Sequence, residues 1–206
     1  MQAQVSHGKT VLSPIVRALF GKGTKARVVQ WLYTEADPRE TYPARALARA
    51  AGIPYGSAHK TLKELAVTQL VSTRETPRGV EYAPPVEDLR LKHLFLLLRQ
   101  DSALVRSLQR KLRGVKAVTY ACIFGSFARG QTHATSDIDV LILGATDEWA
   151  TRTALQEVAL KSKREINPQF LSVEEFLHDL EKREAVARSI LANPRIDLVG
   201  EAPWPT

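Results

Sequence analysis

The stretch that most restricts how this chain can fold is CIFGSFARGQTHATSDIDVLIL, residues 122–143. An apolar, strand-like run ends on Gly125-Ser126. Eleven residues after that serine come Asp137 and Asp139, followed at once by a second apolar run. Residues two apart on a strand project from the same face, so both carboxylates point one way. Two carboxylates so close repel unless something positive lies between them. Hard divalent cations fill that role, because they take oxygen ligands, and Mg²⁺ usually keeps waters and substrate phosphates as well. Across from the acids, glycine lets the backbone approach a ligand closely. Amides at the start of a short helix, with the Ser126 hydroxyl, suit phosphate oxygens.

The surrounding sequence alternates in the way a small α/β domain requires. Strands are expected at 117–124, 139–143, 166–172 and 196–200, a short helix in GSFARG (125–130), and longer helices at 151–163 and 173–191. Ser172 and Glu175 have the spacing of a capping box for the last long helix. Cys122, the one cysteine, sits in an apolar run and reads as a small buried hydrophobe. No disulfide can form within the chain, which suits a reducing compartment.

The Gly-Ser step, Arg129-Gly130, and Ser136-Asp137-x-Asp139 followed by aliphatic residues together resemble the motif of the minimal nucleotidyltransferases, in the DNA polymerase β superfamily. That resemblance implies that Gly125, Ser126, Arg129 and Ser136 serve nucleotide binding and that Asp137 and Asp139 ligate Mg²⁺ or Mn²⁺, with an NTP as ligand or substrate. It also implies a third carboxylate on the next strand. The matching position here is Asn167, and Glu165, two residues earlier, is the candidate to replace it as a catalytic acid beside Asp137 and Asp139. In two-metal chemistry one ion holds the triphosphate and the other activates the attacking hydroxyl. The third acid serves mainly the second ion, so the pattern implies Mg–NTP binding more strongly than transfer.

Residues 11–83 read as a separate unit: helices at 13–20 and 25–33, a break at DPRETYP (37–43), a short helix at 44–52, a helix within 54–71, and two strand-like pieces (70–75, 79–84) joined by TPRG. That order resembles a winged helix-turn-helix. Ser57, His59, Lys60 and Lys63 lie on the outward face of the 56–68 helix, with Arg74 and Arg78 on the wing, and a major groove requires such a cationic face. The alternative is an ordinary solvated face. His59 has no neighbours with which to hold a metal. PPVEDLR (84–90) marks a boundary, after which two amphipathic helical segments (89–100, 102–114) meet at Asp101-Ser102, either of which can cap the second. The stripe Leu91, Leu94, Phe95, Leu98 packs against the following domain or forms a homodimer seam for paired half-sites.

The expected organisation is thus an α/β (α+β) chain. A winged helix-turn-helix DNA-binding domain spans 11–85, a helical linker and candidate dimer seam 86–114, and a minimal nucleotidyltransferase domain with a small mixed sheet flanked by helices 115–200. The combination resembles two-domain proteins described as transcriptional regulators. A net charge of +7 fits a polyanionic partner such as double-stranded DNA. The chain has no secretory signal and no apolar run of membrane-spanning length, so the expected location is cytoplasmic. Three functions compete. One is a DNA-binding regulator that senses or uses a nucleotide. Another is an active nucleotidyltransferase moving NMP to a hydroxyl on a protein, RNA or small molecule, for instance an antitoxin that modifies a neighbour-encoded HEPN-type toxin. The third is a scaffold of two interaction modules.

Overall fold

The computed structural model describes residues 11–86, 88–130 and 137–204. They fall into two compact units that meet at Ser102/Ala103.

In the first unit, α1 (Pro14–Phe20) starts where Pro14 fits the first turn and the Ser13 hydroxyl accepts from the Val16 amide. α2 (Thr24–Gln30) runs on into a wider π turn over Trp31–Glu35. Then come β1 (Tyr42–Pro43), α3 (Ala44–Ala50), α4 (Tyr55–Val67), β2 (Ser72–Thr76), β3 (Gly79–Ala83) and α5 (Leu89–Gln100). The three strands form an antiparallel sheet in the order β1-β3-β2. Pairing of Thr76 with Gly79 leaves Pro77-Arg78 as the hairpin tip. Val28, Val29, Leu32, Leu47, Leu62 and Leu65 recur at helical spacing and close one core.

α5 belongs to that core. Phe95 and Leu98 are buried in it and Leu94 packs against it. The stripe expected at a linker or dimer seam is therefore largely covered within its own unit. Asp101 reaches back to accept from the Ile15 amide at 2.9 Å, in the first turn of α1. The next helix, α6 (Ala103–Arg113), buries Val105, Leu108 and Leu112 in the second unit. The two amphipathic segments thus serve different cores, and the boundary falls between them.

The second unit contains β4 (Tyr120–Phe124), α7 (Gly125–Ala128), β5 (Ile138–Leu143), α8 (Glu148–Ser162), β6 (Ile166–Leu171), α9 (Val173–Glu181), α10 (Ala185–Ala192) and β7 (Ile196–Val199). Its sheet is mixed, with order β6-β5-β4-β7; β4 is antiparallel to both neighbours and β5–β6 is parallel. Ala121, Ile123, Val140 and Ile142 pack with residues of α6 and α8, whereas Tyr120, Cys122, Leu141 and Leu143 pack with Phe176, Ile190 and Trp204. Burial on both faces explains why β4 and β5 are continuous apolar runs rather than alternating ones. Burial also pushes the Cys122 thiol up to about 11.

β4 begins at Tyr120 rather than 117, and two further boundaries differ from expectation for a visible local reason. α8 starts three residues early because the Asp147 carboxylate caps it, accepting from the Ala150 amide at 3.1 Å. The single helix expected at 173–191 is two helices. α9 begins with the anticipated capping box but closes when Arg183 turns left-handed, with φ 60°, and the Glu184 amide donates to Asp179 O at 2.9 Å. Glycine usually occupies such a closing position. A run of charged residues does so here, and nothing in it marks a stop. Among the described residues no helix is long and apolar enough to cross a membrane.

Leu98→Ala and Leu112→Ala should each cost about 3 kcal/mol, but in different places. Hydrogen exchange will show protection lost first in 11–102 for Leu98→Ala and in 103–204 for Leu112→Ala.

Candidate functional site

The two acids stand where the sheet of the second unit opens at the start of β5. Asp137 lies just before the strand and is exposed; Asp139 lies within it and is half-buried. Between them Ile138 is fully buried, paired with Ile166, and its amide donates to Glu165 O at 2.9 Å. That anchoring holds the backbone between the acids. Asp139 shares the parity of Leu141 and Leu143, so its side chain leaves the sheet on the face opposite Ile138.

Two residues define the surroundings of Asp139. On the β4 side it pairs in register with Phe124, the last residue before Gly125. Gly125 has φ +73°, and a Cβ there would lie 2.4 Å from Asp139 Oδ2. The carboxylate occupies the space that any larger residue would fill, and the backbone turns as glycine readily does. On the β6 side Asp139 pairs with Asn167, whose side-chain amide donates to the carboxylate. Burial raises the Asp139 carboxyl above its ordinary range, and the Asp137 charge adds to the rise. The hydrogen bond from Asn167 and the nearby Arg129 guanidinium act against it.

Ser126 is half-buried in the first turn of α7, next to Gly125. Arg129 follows at the end of that helix, its amide bonded to Gly125 O at 3.2 Å. Gly125, Ser126, Arg129, Asp137 and Asp139 are thus brought to one end of the two central strands. Ser136 lies outside the described residues. Glu165 is exposed and lines the groove between α8 and β6 with Trp149 and Gln156. It is Asn167, not Glu165, that the structure sets against Asp139. No cluster of three or more histidine, cysteine or acidic side chains suited to a metal occurs among the described residues. The donor set is therefore two carboxylates and a neutral amide. It suits one hard cation that completes its shell with water or phosphate oxygens.

In the first unit, Ser57, Lys60 and Lys63 are exposed on α4, Arg74 on β2, and Arg78 at the hairpin tip. His59 is half-buried and stacks on Tyr55, ring centroids 5.7 Å apart. Arg45, on α3, escaped the sequence reading. Its guanidinium lies over the Tyr55 ring at 5.1 Å. The signal that was available is the exposed Arg45/Arg49 pair on one side of an otherwise Ala/Leu helix.

Residues 102–193 match the family model of the nucleotidyltransferase domain. The span runs from the start of α6 to the end of α10, so the second unit carries a nucleotidyltransferase-like domain. Curated proteins give no match. Among solved structures, a toxin-antitoxin with AMP-PNP is 20% identical, with a TM-score of 0.34, over 47% of this chain and 73% of its own. An IclR homolog from Microbacterium sp. strain HM58-2 is 21% identical, with a TM-score of 0.31, over 50% of this chain and 43% of its own. At such scores neither likeness carries an argument.

Gly125→Ala must push the Asp139 carboxylate aside and hold a left-handed alanine. Thermal unfolding should show a loss of about 2 kcal/mol.

Proposed function

We propose that the chain is a DNA-binding regulator whose nucleotidyltransferase-like unit binds a magnesium-bound nucleoside triphosphate with little nucleotidyl transfer. The observation that carries this reading is the setting of Asp139 between Gly125 and Asn167. Asp137 and Asp139 would hold the ion, and Gly125 and Ser126 would face the phosphates, with Arg129 beside them. A bound divalent ion supplies the positive charge that lets two carboxylates and a triphosphate share one pocket.

Transfer asks for more. Two-metal displacement needs a charged ligand set for the ion at the attacking oxygen, and most of the rate comes from electrostatic stabilisation of developing charge. Asn167 brings a dipole and no charge to that position. Its NH2 already serves Asp139, which leaves only the neutral carbonyl oxygen for an ion. On this reading the site would hold a nucleotide, and its weak point would be activation of an acceptor.

The DNA side of the proposal rests on the first unit. Its order of helix, strand, helix, helix and hairpin supports reading it as a winged helix-turn-helix, in which α4 would be the recognition helix and β2–β3 the wing. Ser57, Lys60 and Lys63 would meet the major groove, His59 would support that face, and Arg74 and Arg78 would reach phosphates from the wing. Lys60, Lys63, Arg74 and Arg78 form no ion pair among the described residues. They are available to a polyanion in a chain of net charge +7. Binding as a homodimer would suit paired half-sites.

A second reading is favoured by the domain match over 102–193: a working nucleotidyltransferase that passes NMP to a hydroxyl on a protein or RNA, a partner toxin included. Calorimetry and label transfer separate the two. On the first reading the chain binds at least one of ATP, CTP, GTP or UTP with Mg²⁺. Asp139→Asn abolishes that binding, and transfer to any acceptor stays near background. Asn167→Asp then restores a charge and should raise transfer by about tenfold or more. Rapid transfer by the wild type that Asp137→Asn abolishes would replace the first reading with the second.

For DNA, Lys60→Ala/Lys63→Ala should weaken duplex binding and lower the slope of log affinity against log salt by about 2, near 0.9 per lost phosphate contact. An unchanged slope and affinity would rule out α4 as the binding helix.

A further inference from the structure

Between the start of α4, the start of α3 and the tip of the β2–β3 hairpin lies a cleft of about 390 Å³. Arg45, Tyr55, His59, Lys63, Arg78 and Tyr82 line it, and no carboxylate does among the described residues. Arg45, Lys63 and Arg78 come from three different elements and are exposed. None forms an ion pair among the described residues. Three cations sharing one concavity repel one another, and an anion seated among them removes that cost.

The aromatic residues give the cleft its shape. Tyr55 is the first residue of α4. One face of its ring carries the Arg45 guanidinium, 5.1 Å from the centroid, and the ring stacks on His59 at an interplanar angle of 16°. A cation–ring contact holds the guanidinium without using its N–H donors, so Tyr55 can position them and leave them available. The N-cap of α4 is Pro54, which makes no side-chain capping bond, so no side chain covers the first-turn amides from that position. Burial, with Tyr55 nearby, raises the Tyr82 hydroxyl above its ordinary range, so it stays a neutral donor.

We infer that this cleft is a phosphate-ester site centred on Arg45, with Tyr55 as the residue that positions the guanidinium. The inference rests in part on the DNA-binding reading above, since α4 and the hairpin belong to the same face. The same chemistry would serve a backbone phosphodiester of duplex DNA or the phosphate of a free mononucleotide.

The test uses the full chain and two probes, a labelled random-sequence duplex and AMP. Binding is followed by anisotropy and by the imidazole resonances of His59. Arg45→Ala should weaken duplex binding by about tenfold, the worth of one charge-assisted contact. It should also lower the salt slope by about 0.9. Arg17→Ala, which removes an exposed cation elsewhere in the unit, should leave both unchanged. Tyr55→Ala should follow Arg45→Ala, and Tyr55→Phe, which keeps the ring, should restore binding. Movement of the His59 resonances by AMP assigns the cleft to a free nucleotide, and movement by duplex alone assigns it to the DNA backbone. If duplex fails to bind while AMP still moves His59, the DNA reading falls and the cleft stands. If Arg45→Ala and Tyr55→Ala bind both probes as the wild type does, the cleft inference is overturned and the DNA reading stands.

Discussion

The close approach of Asp139 to Gly125 is the contact on which the second unit turns. It exists because Phe124 and Asp139 are partners in the β4–β5 ladder, so the end of one strand brings its glycine beside the other strand's acid. That ladder is held in register by side chains buried on both faces. A slip of one residue would exchange Cys122 and Ile123, or Val140 and Leu141, between two cores of different shape. The apolar strands therefore do more than stabilise the sheet. They fix the position of a half-buried carboxylate that the sheet itself has no use for.

A second consequence follows on the opposite side of Asp139. Parallel pairing with β6 sets Asn167 beside it, and a neutral donor there steadies a carboxylate that burial and Asp137 both penalise. An acid in that position would add a third negative charge to the pair and would need cations to offset it. With an amide, the acids are held in place without that third charge. The neutrality that helps the two acids sit together is also what weakens the case for a second ion.

Much of this was legible in the residues. Gly125-Ser126 and Asp137-x-Asp139 mark the candidate site because glycine and clustered acids are expensive in a strand context unless something requires them. The both-face burial of β4 and β5 could be read from their unbroken apolar runs, and the Ser172–Glu175 capping box from its spacing. What could not be read depended on tertiary partners. The helix break at Arg183 has no glycine or proline. The allocation of α5 and α6 to separate cores is decided by which helices they meet, although α6 is much the more strongly amphipathic of the two. The Arg45/Arg49 pair marks a cationic side of α3, but the contact of Arg45 with Tyr55, ten residues away in sequence and on another helix, depends on tertiary structure.

On the functions proposed, the two units handle phosphate by opposite electrostatic means. The first would meet it directly with unpaired Lys and Arg side chains, so binding there must weaken steeply as salt rises, because each contact releases counterions. The second presents carboxylates and can accept phosphate only through a cation, so binding there must fail when the divalent ion is chelated and respond less to monovalent salt. A chelator and a salt series therefore act on different ends of the chain. Any regulation by nucleotide would have to appear as a change in DNA affinity that EDTA removes at constant ionic strength. The coupling must also be reciprocal, with DNA altering nucleotide affinity by the same factor. Binding at the two units that is independent in both directions would leave two phosphate sites in one polypeptide and no switch between them.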